Sequence, residues 1–165
     1  MLKKYRAAVL TLSDKGSQGK REDTSGTWLC EELEKCGYEV VNYAILPDEQ
    51  EWIERKLICL ADEEKCDLIL TTGGTGFSKR DRTPEATRAV IDREAPGIAE
   101  GIRAYSTMIT KRAMLSRGVS GIRKETLIIN LPGSRKAVEE SFTYIQDTLE
   151  HALGILTEVD GECGR

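Results

Sequence analysis

Histidine is almost absent from this chain: His151 is the only one. It falls well along an amphipathic C-terminal pattern, where a surface or interface position is expected, and its solitude argues against a Ser-His-Asp triad. Cysteine occurs five times, at Cys30, Cys36, Cys59, Cys66 and Cys163, but never as C-x-x-C. The odd count and the spacings argue against zinc-ligand pairs and against a disulfide framework. Reduced thiols, mostly half-buried on helices in a cytoplasmic protein, are the expectation, and no local pattern marks one as a nucleophile. No apolar run approaches the roughly 20 residues of a membrane span. The opening MLKKYRAAVLTLSDKG has a basic start, but its apolar part covers only Ala7 to Leu12 before Asp14-Lys15 closes it. A first strand fits this better than a signal peptide, and nothing in it directs export. A basic excess is also missing: 24 Lys and Arg face 28 Asp and Glu, a net charge of −4, so there is no field to recruit nucleic acid. Repeats, linkers and low-complexity segments are absent. The 165 residues read as one domain with a single substantial core.

The most informative stretch runs from Asp67 to Thr87, DLILTTGGTGFSKRDRTPEAT. Leu68, Ile69 and Leu70 suit a buried strand. Gly73, Gly74 and Gly76 follow within four residues, with Thr75 between them, and then a mixed-charge loop of Lys79, Arg80, Asp81 and Arg82. Thr83 and Pro84 read as an N-cap and first helical position. Glycines let the backbone approach a ligand, and the N–H groups of a loop and helix start attract phosphate. Asp81 repels a bare phosphate but would hold a magnesium ion that bridges to one. The turn matches neither a P-loop nor the G-x-G-x-x-G fingerprint, since Phe77-Ser78 and Lys79 stand at the diagnostic positions. A tight α/β bend with no ligand remains the alternative reading of this stretch alone.

Around it, strands are expected at Arg6 to Leu12, Glu39 to Leu46 and Thr126 to Leu131. Helices are expected after Asp23, Thr24 or Ser25, one of which would cap the first; around Trp52, Ile53, Leu57 and Leu60; around Ile98, Ile102, Tyr105 and Ile109; and along Val138, Phe142, Ile145, Leu149, Ala152 and Leu156. Ala113 to Lys124 reads mostly as loop, with room for a short strand, and the tail from Asp160 onward as frayed. The alternation argues for one α/β domain with a largely parallel sheet. In such a sheet the loops leaving the strands' C-terminal ends share one side. Here these are Ser13–Gly26, Pro47–Glu49, Thr72–Thr83 and Asn130–Lys136; each is polar and three are glycine-rich, whereas the opposite loops are short and plain. Asp48 and Asp81 fall within this set. Together they could share a magnesium ion and orient a triphosphate; a helix N-cap is an equal reading of Asp48.

Three segments, TLSDKGSQGKREDTSG, TTGGTGFSKRDRTPEAT and AMLSRGVSGIRKETLIINLPGS, together resemble the MogA/MoaB family of molybdenum-cofactor biosynthesis, whose domain also occurs fused in proteins such as gephyrin. The resemblance runs from about Tyr5 to Leu156. It implies a single three-layer α/β domain spanning 1–165 with its core at about 5–156, a mostly parallel sheet flanked by helices, and assembly as a homotrimer. It implies a molybdopterin adenylyltransferase that uses ATP and magnesium and passes its product to a molybdenum insertase. The alternative is a non-catalytic molybdopterin-binding or scaffold member. Carried over by motif, Asp48 and Asp81 are the implied catalytic acids and magnesium ligands. Ser13, Thr72, Gly73, Gly74, Thr75, Gly76, Thr83, Ser116, Arg117, Asn130, Pro132 and Gly133 are the implied nucleotide- or pterin-binding residues. Lys79, Arg82 and Arg112 depart from the residues common in the family; the acids and glycines do not.

Overall fold

The structure, a computed structural model, describes residues 4–158; Cys163 and the tail from Asp160 lie outside them. Six strands form one sheet: β1 (Arg6–Leu12), β2 (Glu39–Leu46), β3 (Leu68–Thr72), β4 (Arg93–Glu94), β5 (Ser120–Arg123) and β6 (Thr126–Leu131), in the order β2-β1-β3-β6-β5-β4. The first four in that order run parallel, while β5 is antiparallel to β6 and β4 antiparallel to β5. Six helices surround them: α1 (Asp14–Ser17), α2 (Thr24–Lys35), α3 (Gln50–Ile58), α4 (Thr83–Val90), α5 (Pro96–Ile109) and α6 (Arg135–Leu156). α3 runs on into a π-helical turn, Cys59–Glu63, and a 3-10 turn, Lys111–Leu115, follows α5.

Helices cover both faces of the parallel part, so its strands are apolar runs rather than alternating ones. One face of β1, β3 and β6 (Ala7, Val9, Leu68, Leu70, Leu127, Ile129) packs against α2 and α6 through Leu29, Leu33, Val138 and Phe142. The other (Ala8, Leu10, Ile69, Ile128) packs against Ile53 and Leu57 of α3 and Ala86 and Val90 of α4. Each such fully buried large aliphatic contributes roughly 1.5–3 kcal/mol. The expected faces of α3 and α5 need correction. Trp52 stands about 100° around the helix from Ile53 and is 57% exposed, and Ile109 points to solvent at the end of α5. Among the thiols, Cys66 is buried in the turn before β3 and Cys36 is exposed at the end of α2, so the half-buried helical position holds for Cys30 but not for these two. His151 is exposed on α6. No helix of the described residues is long and apolar enough to cross a membrane.

Register brings the loops of interest to one level. Thr11 lies opposite Thr72, Thr72 opposite Leu131, and Leu12 opposite Leu46. The segments after β1, β2, β3 and β6 therefore leave the sheet side by side.

The far end of the sheet is tied down by charge. Arg123 donates from Nε and Nη2 to the two oxygens of Asp62 at 3.0 and 2.8 Å and from Nη1 to the Val90 carbonyl at 2.7 Å. This fork joins β5 to the π-helical turn and the end of α4. The Arg123 guanidinium pulls the Asp62 carboxyl down to about 2, with Lys124 adding to it. A depressed carboxyl stabilises the fold above its unfolded pKa and loses that contribution as pH falls through the folded value. Asp62→Asn should therefore lower the melting temperature at neutral pH. The gap from wild type should close between about pH 4 and pH 2; melts across that range check it, and a pH-independent gap would contradict the ion pair.

Candidate functional site

The four aligned loops enclose a cavity of about 510 Å³. Its floor is the β1 and β3 ends, and its rim holds Asp48, Asp81, Arg21 and Arg135. The starts of α2 and α6 both line it, capped by Asp23 and Ser134. Helix starts favour anions.

The glycine turn is shaped by what surrounds it. Gly73 has φ +95° and Gly74 φ +68°, the left-handed region that glycine adopts without penalty. Thr83 is the first residue of α4 rather than its cap, with Arg82 in the cap position and Pro84 second. The expected cap is displaced because the Thr83 hydroxyl is used elsewhere: it donates to the Gly73 carbonyl at 2.9 Å, and its N–H donates to Gly74. From the β6 side, the Thr72 hydroxyl donates to Pro132 O at 2.6 Å. The Ser25 hydroxyl of α2 donates to Gly133 O at 2.9 Å.

Arg117 holds the outer side of the same loop. Its N–H donates to Thr75 O, Nε to Gly76 O at 2.7 Å, Nη2 to Asp81 O at 2.8 Å, and Nη1 to the Glu85 carboxylate. It braces Asp81 from behind and does not line the polar cavity. The Asp81 carboxylate accepts from the Ser78 N–H at 2.9 Å.

Asp48 does not cap α3; Glu49 holds that position. Instead Asp48 and Asp14 are locked together. The Asp14 N–H donates to Asp48 Oδ2, and the Asp48 N–H donates to Asp14 Oδ1, both at 3.0 Å. Arg80 closes this pair with a fork on Asp14 at 2.9 and 3.0 Å and a further bond to Glu49 at 2.8 Å, so three loops meet on one guanidinium. The second Asp48 oxygen, Oδ1, is buried without a hydrogen-bond partner. Burial raises the Asp48 carboxyl above the usual carboxylate range; the charges of Asp14 and Asp81 push the same way, against the Asp14 N–H and Arg80. Such an oxygen suits a hard cation completed by phosphate oxygens and water. Among the described residues no group of three or more His, Cys, Asp or Glu is placed to hold a metal alone, so one or two carboxylates with substrate oxygens is the arrangement that fits.

The residues singled out in the sequence fall into three sets. Asp48, Asp81, Ser13, Thr72, Gly73, Gly74 and Gly133 line the polar cavity. Ser13 also caps α1, accepting from Gly16 at 3.0 Å, which places a helical turn inside the expected Ser13–Gly26 loop. Ser116, Asn130 and Pro132 line a second cavity. Asn130 is buried, donating to Thr71 and Thr87 and accepting from the Val119 N–H, so it is a strut. Thr75, Gly76, Thr83 and Arg117 shape the loop. Lys79 and Arg82 are exposed on its outer flank. Sequence reading missed Asp14, Arg80 and the cluster in which Asp23 accepts from Thr11 at 2.6 Å and from Tyr43.

A family model described as "Probable molybdopterin binding domain" matches residues 8–151. The molybdopterin adenylyltransferase of Haemophilus influenzae is 44% identical over 158 residues, covering 93% of this chain and 80% of that protein. The molybdenum cofactor synthesis protein cinnamon of Drosophila melanogaster is 45% identical over 149 residues; the match takes 90% of this chain, which spans 25% of that protein's length. The crystal structure of the molybdopterin biosynthesis enzyme MoaB from Thermus thermophilus superposes with a TM-score of 0.88 at 49% identity, covering 93% of this chain and 97% of that one.

Proposed function

This chain belongs to the molybdopterin-binding domain family, and from that premise we propose that it is a molybdopterin adenylyltransferase. It transfers AMP from ATP to the terminal phosphate of molybdopterin. A phosphate oxygen of molybdopterin forms the new bond to the α-phosphorus, the bond from that phosphorus to the β-phosphate breaks, and pyrophosphate leaves with the electron pair. The nucleophile is already ionised, so the reaction asks for alignment and charge neutralisation rather than for a base. The observation that carries the reading is the Asp48 carboxylate, with one oxygen pinned and the other buried and unpartnered at a polar cavity.

In this reading Asp48 and Asp81 hold magnesium, which neutralises the triphosphate when bound. The backbone of the Gly73–Gly74 turn and the starts of α2 and α6 take the phosphates, with Arg21 and Arg135 at the rim. Purified protein given molybdopterin, ATP and magnesium should release pyrophosphate; binding of molybdopterin with no release above background would replace the enzyme by a non-catalytic binder.

Arg80 is a positioning residue here, acting on Asp48 through Asp14. Arg80→Ala should lower turnover roughly 10- to 100-fold and raise the magnesium needed for half-saturation. Lysine should restore little, because it lacks the planar fork. An unchanged metal requirement would limit Arg80 to structure.

The reading extends to a homotrimer in the cytoplasm that delivers its product to a molybdenum insertase. Support for assembly comes from the apolar surface at the end of α5, where Met108 is 85% and Met114 61% exposed beside Ile109 and Leu115. Light scattering should give three times the monomer mass, and Met108→Glu should lower it.

A further inference from the structure

Asp23 carries a negative charge at a place that should repel it. It lines the polar cavity beside Thr11, Arg21 and Arg135, at the α2 start that takes phosphate in the reading above, and like charges repel. An acid there would drive a triphosphate out unless its charge were held aside. Both of its oxygens are held. Oδ1 caps α2, accepting from the Gly26 N–H at 2.9 Å. Oδ2 accepts from two hydroxyls at once, Thr11 Oγ1 of β1 at 2.6 Å and the Tyr43 phenol of β2. Three elements, β1, β2 and α2, therefore meet on one carboxylate. The contrast with Asp48 in the same cavity is direct: Asp48 leaves one oxygen without a partner, and Asp23 leaves none.

The fit around Asp23 is close. A Cβ at residue 26 would stand 2.2 Å from Asp23 Oδ2, 2.3 Å from Thr11 Oγ1 and 2.9 Å from Tyr43 Cε2, so the bare glycine is what lets the three groups converge. Tyr43 is secure as a donor, because burial, and then the bond to Asp23, push its hydroxyl well above the ordinary tyrosine range. It is 38% exposed and reaches Asp23 from the edge strand of the sheet. We infer that Thr11 and Tyr43 are positioning residues for nucleotide binding: acting through Asp23, their hydroxyls hold its carboxylate against the sheet and away from the phosphates. This rests on the adenylyltransferase reading. With both hydroxyls gone, Oδ2 has no partner, and the carboxylate is free to turn into the cavity. There it competes with phosphate for the N–H groups at the α2 start and for Arg21 and Arg135.

Removing the charge separates this from a merely structural role. An α,β-methylene analogue of ATP, with magnesium, is titrated into wild type, Tyr43→Phe/Thr11→Val, Asp23→Asn and the triple variant, with folding checked by circular dichroism. Asparagine caps a helix about as well as aspartate, so α2 keeps its start. The double variant is expected to bind the analogue roughly tenfold more weakly. Adding Asp23→Asn should return the affinity to within about threefold of wild type, the non-additivity that a shared charge produces. A structural role gives no such return, since taking the charge away mends no lost contact. A triple variant as weak as the double overturns the inference and leaves AMP transfer standing, and so does a double variant that binds like wild type. Wild type that binds no analogue removes the underlying reading and this inference with it. If the double variant fails to fold, Tyr43→Phe, alone and with Asp23→Asn, decides by the same comparison.

Discussion

Asp48→Asn is expected to slow AMP transfer on the order of a hundred- to a thousandfold and yet to melt no lower than the wild type at neutral pH. The amide keeps the carboxylate's shape and can still accept from the Asp14 N–H, which holds Oδ2 at 3.0 Å. What it loses is the charge on the buried, unpartnered Oδ1, which in the proposed reading joins Asp81 in holding magnesium. Stability should move the other way. Burial raises the Asp48 carboxyl, with Asp14 and Asp81 adding to it. A carboxyl whose folded pKa is raised binds its proton more tightly in the folded state, so ionisation costs stability at every pH above that value. The asparagine variant escapes this cost, and its advantage should shrink as pH falls through the raised pKa. Rates of pyrophosphate release, paired with thermal melts at several pH values, check both halves. A variant that is slow and also melts well below the wild type would recast Asp48 as a structural partner of Asp14.

Gly73→Ala carries the largest expected loss of stability. A Cβ built on Gly73 would stand 2.4 Å from the backbone oxygen of Leu12. That oxygen belongs to the last residue of β1, which is paired to Leu46 of β2 and directly follows Thr11, paired to Thr72 of β3, so it has little room to swing away. Alanine at φ +95° adds about 1–2 kcal/mol of backbone strain, and overpacking typically adds about 1–3 kcal/mol. The sum, about 3 kcal/mol, corresponds to a fall in melting temperature of roughly 6–12 °C for a chain of this size. Gly74→Ala makes the informative comparison. Its Cβ would meet Thr83 Oγ1 at 2.2 Å and Asp48 Oδ1 at 3.2 Å, both side-chain atoms that can rotate. Smaller destabilisation but a large loss of turnover is expected there, since the clash displaces the Thr83 hydroxyl that braces the glycine turn and crowds the Asp48 oxygen. Melting curves showing equal losses for the two variants would count against this division.

What could be read in the sequence follows from which signals are local. β1, β2 and β6 were legible to the residue because their apolar runs are bounded by polar turns. The clustering of polar loops at one end of the sheet followed from the parallel topology. β4 was not legible: two exposed charged residues, Arg93 and Glu94, carry no periodicity, and a short charged strand is how a sheet edge is protected from further pairing. β5 was blurred by the glycine and arginine residues around it. Residue roles were the harder part. Arg117 stands beside Ser116 in the sequence and invites the same assignment, yet its guanidinium is spent on two loop carbonyls and Glu85. Asp14 and Arg80 looked like ordinary surface charges, because their bonds span 34 and 66 residues of chain. Asp48 was expected among the loops at this end of the sheet and lines the cavity there, but its unpartnered oxygen is a property of packing that no spacing rule reports.

The Ser25–Gly133 bond has a kinetic meaning. It closes a loop of 108 residues, and Thr72–Pro132 closes one of 60. Contacts of such sequence separation form late, because the chain must lose much conformational freedom before they return any energy. The polar cavity is assembled from segments between Thr11 and Arg135, so no short fragment contains it. Regain of activity after dilution from denaturant should then follow the slowest structural phase with no earlier component, which makes catalysis a stricter monitor of complete folding than helix content.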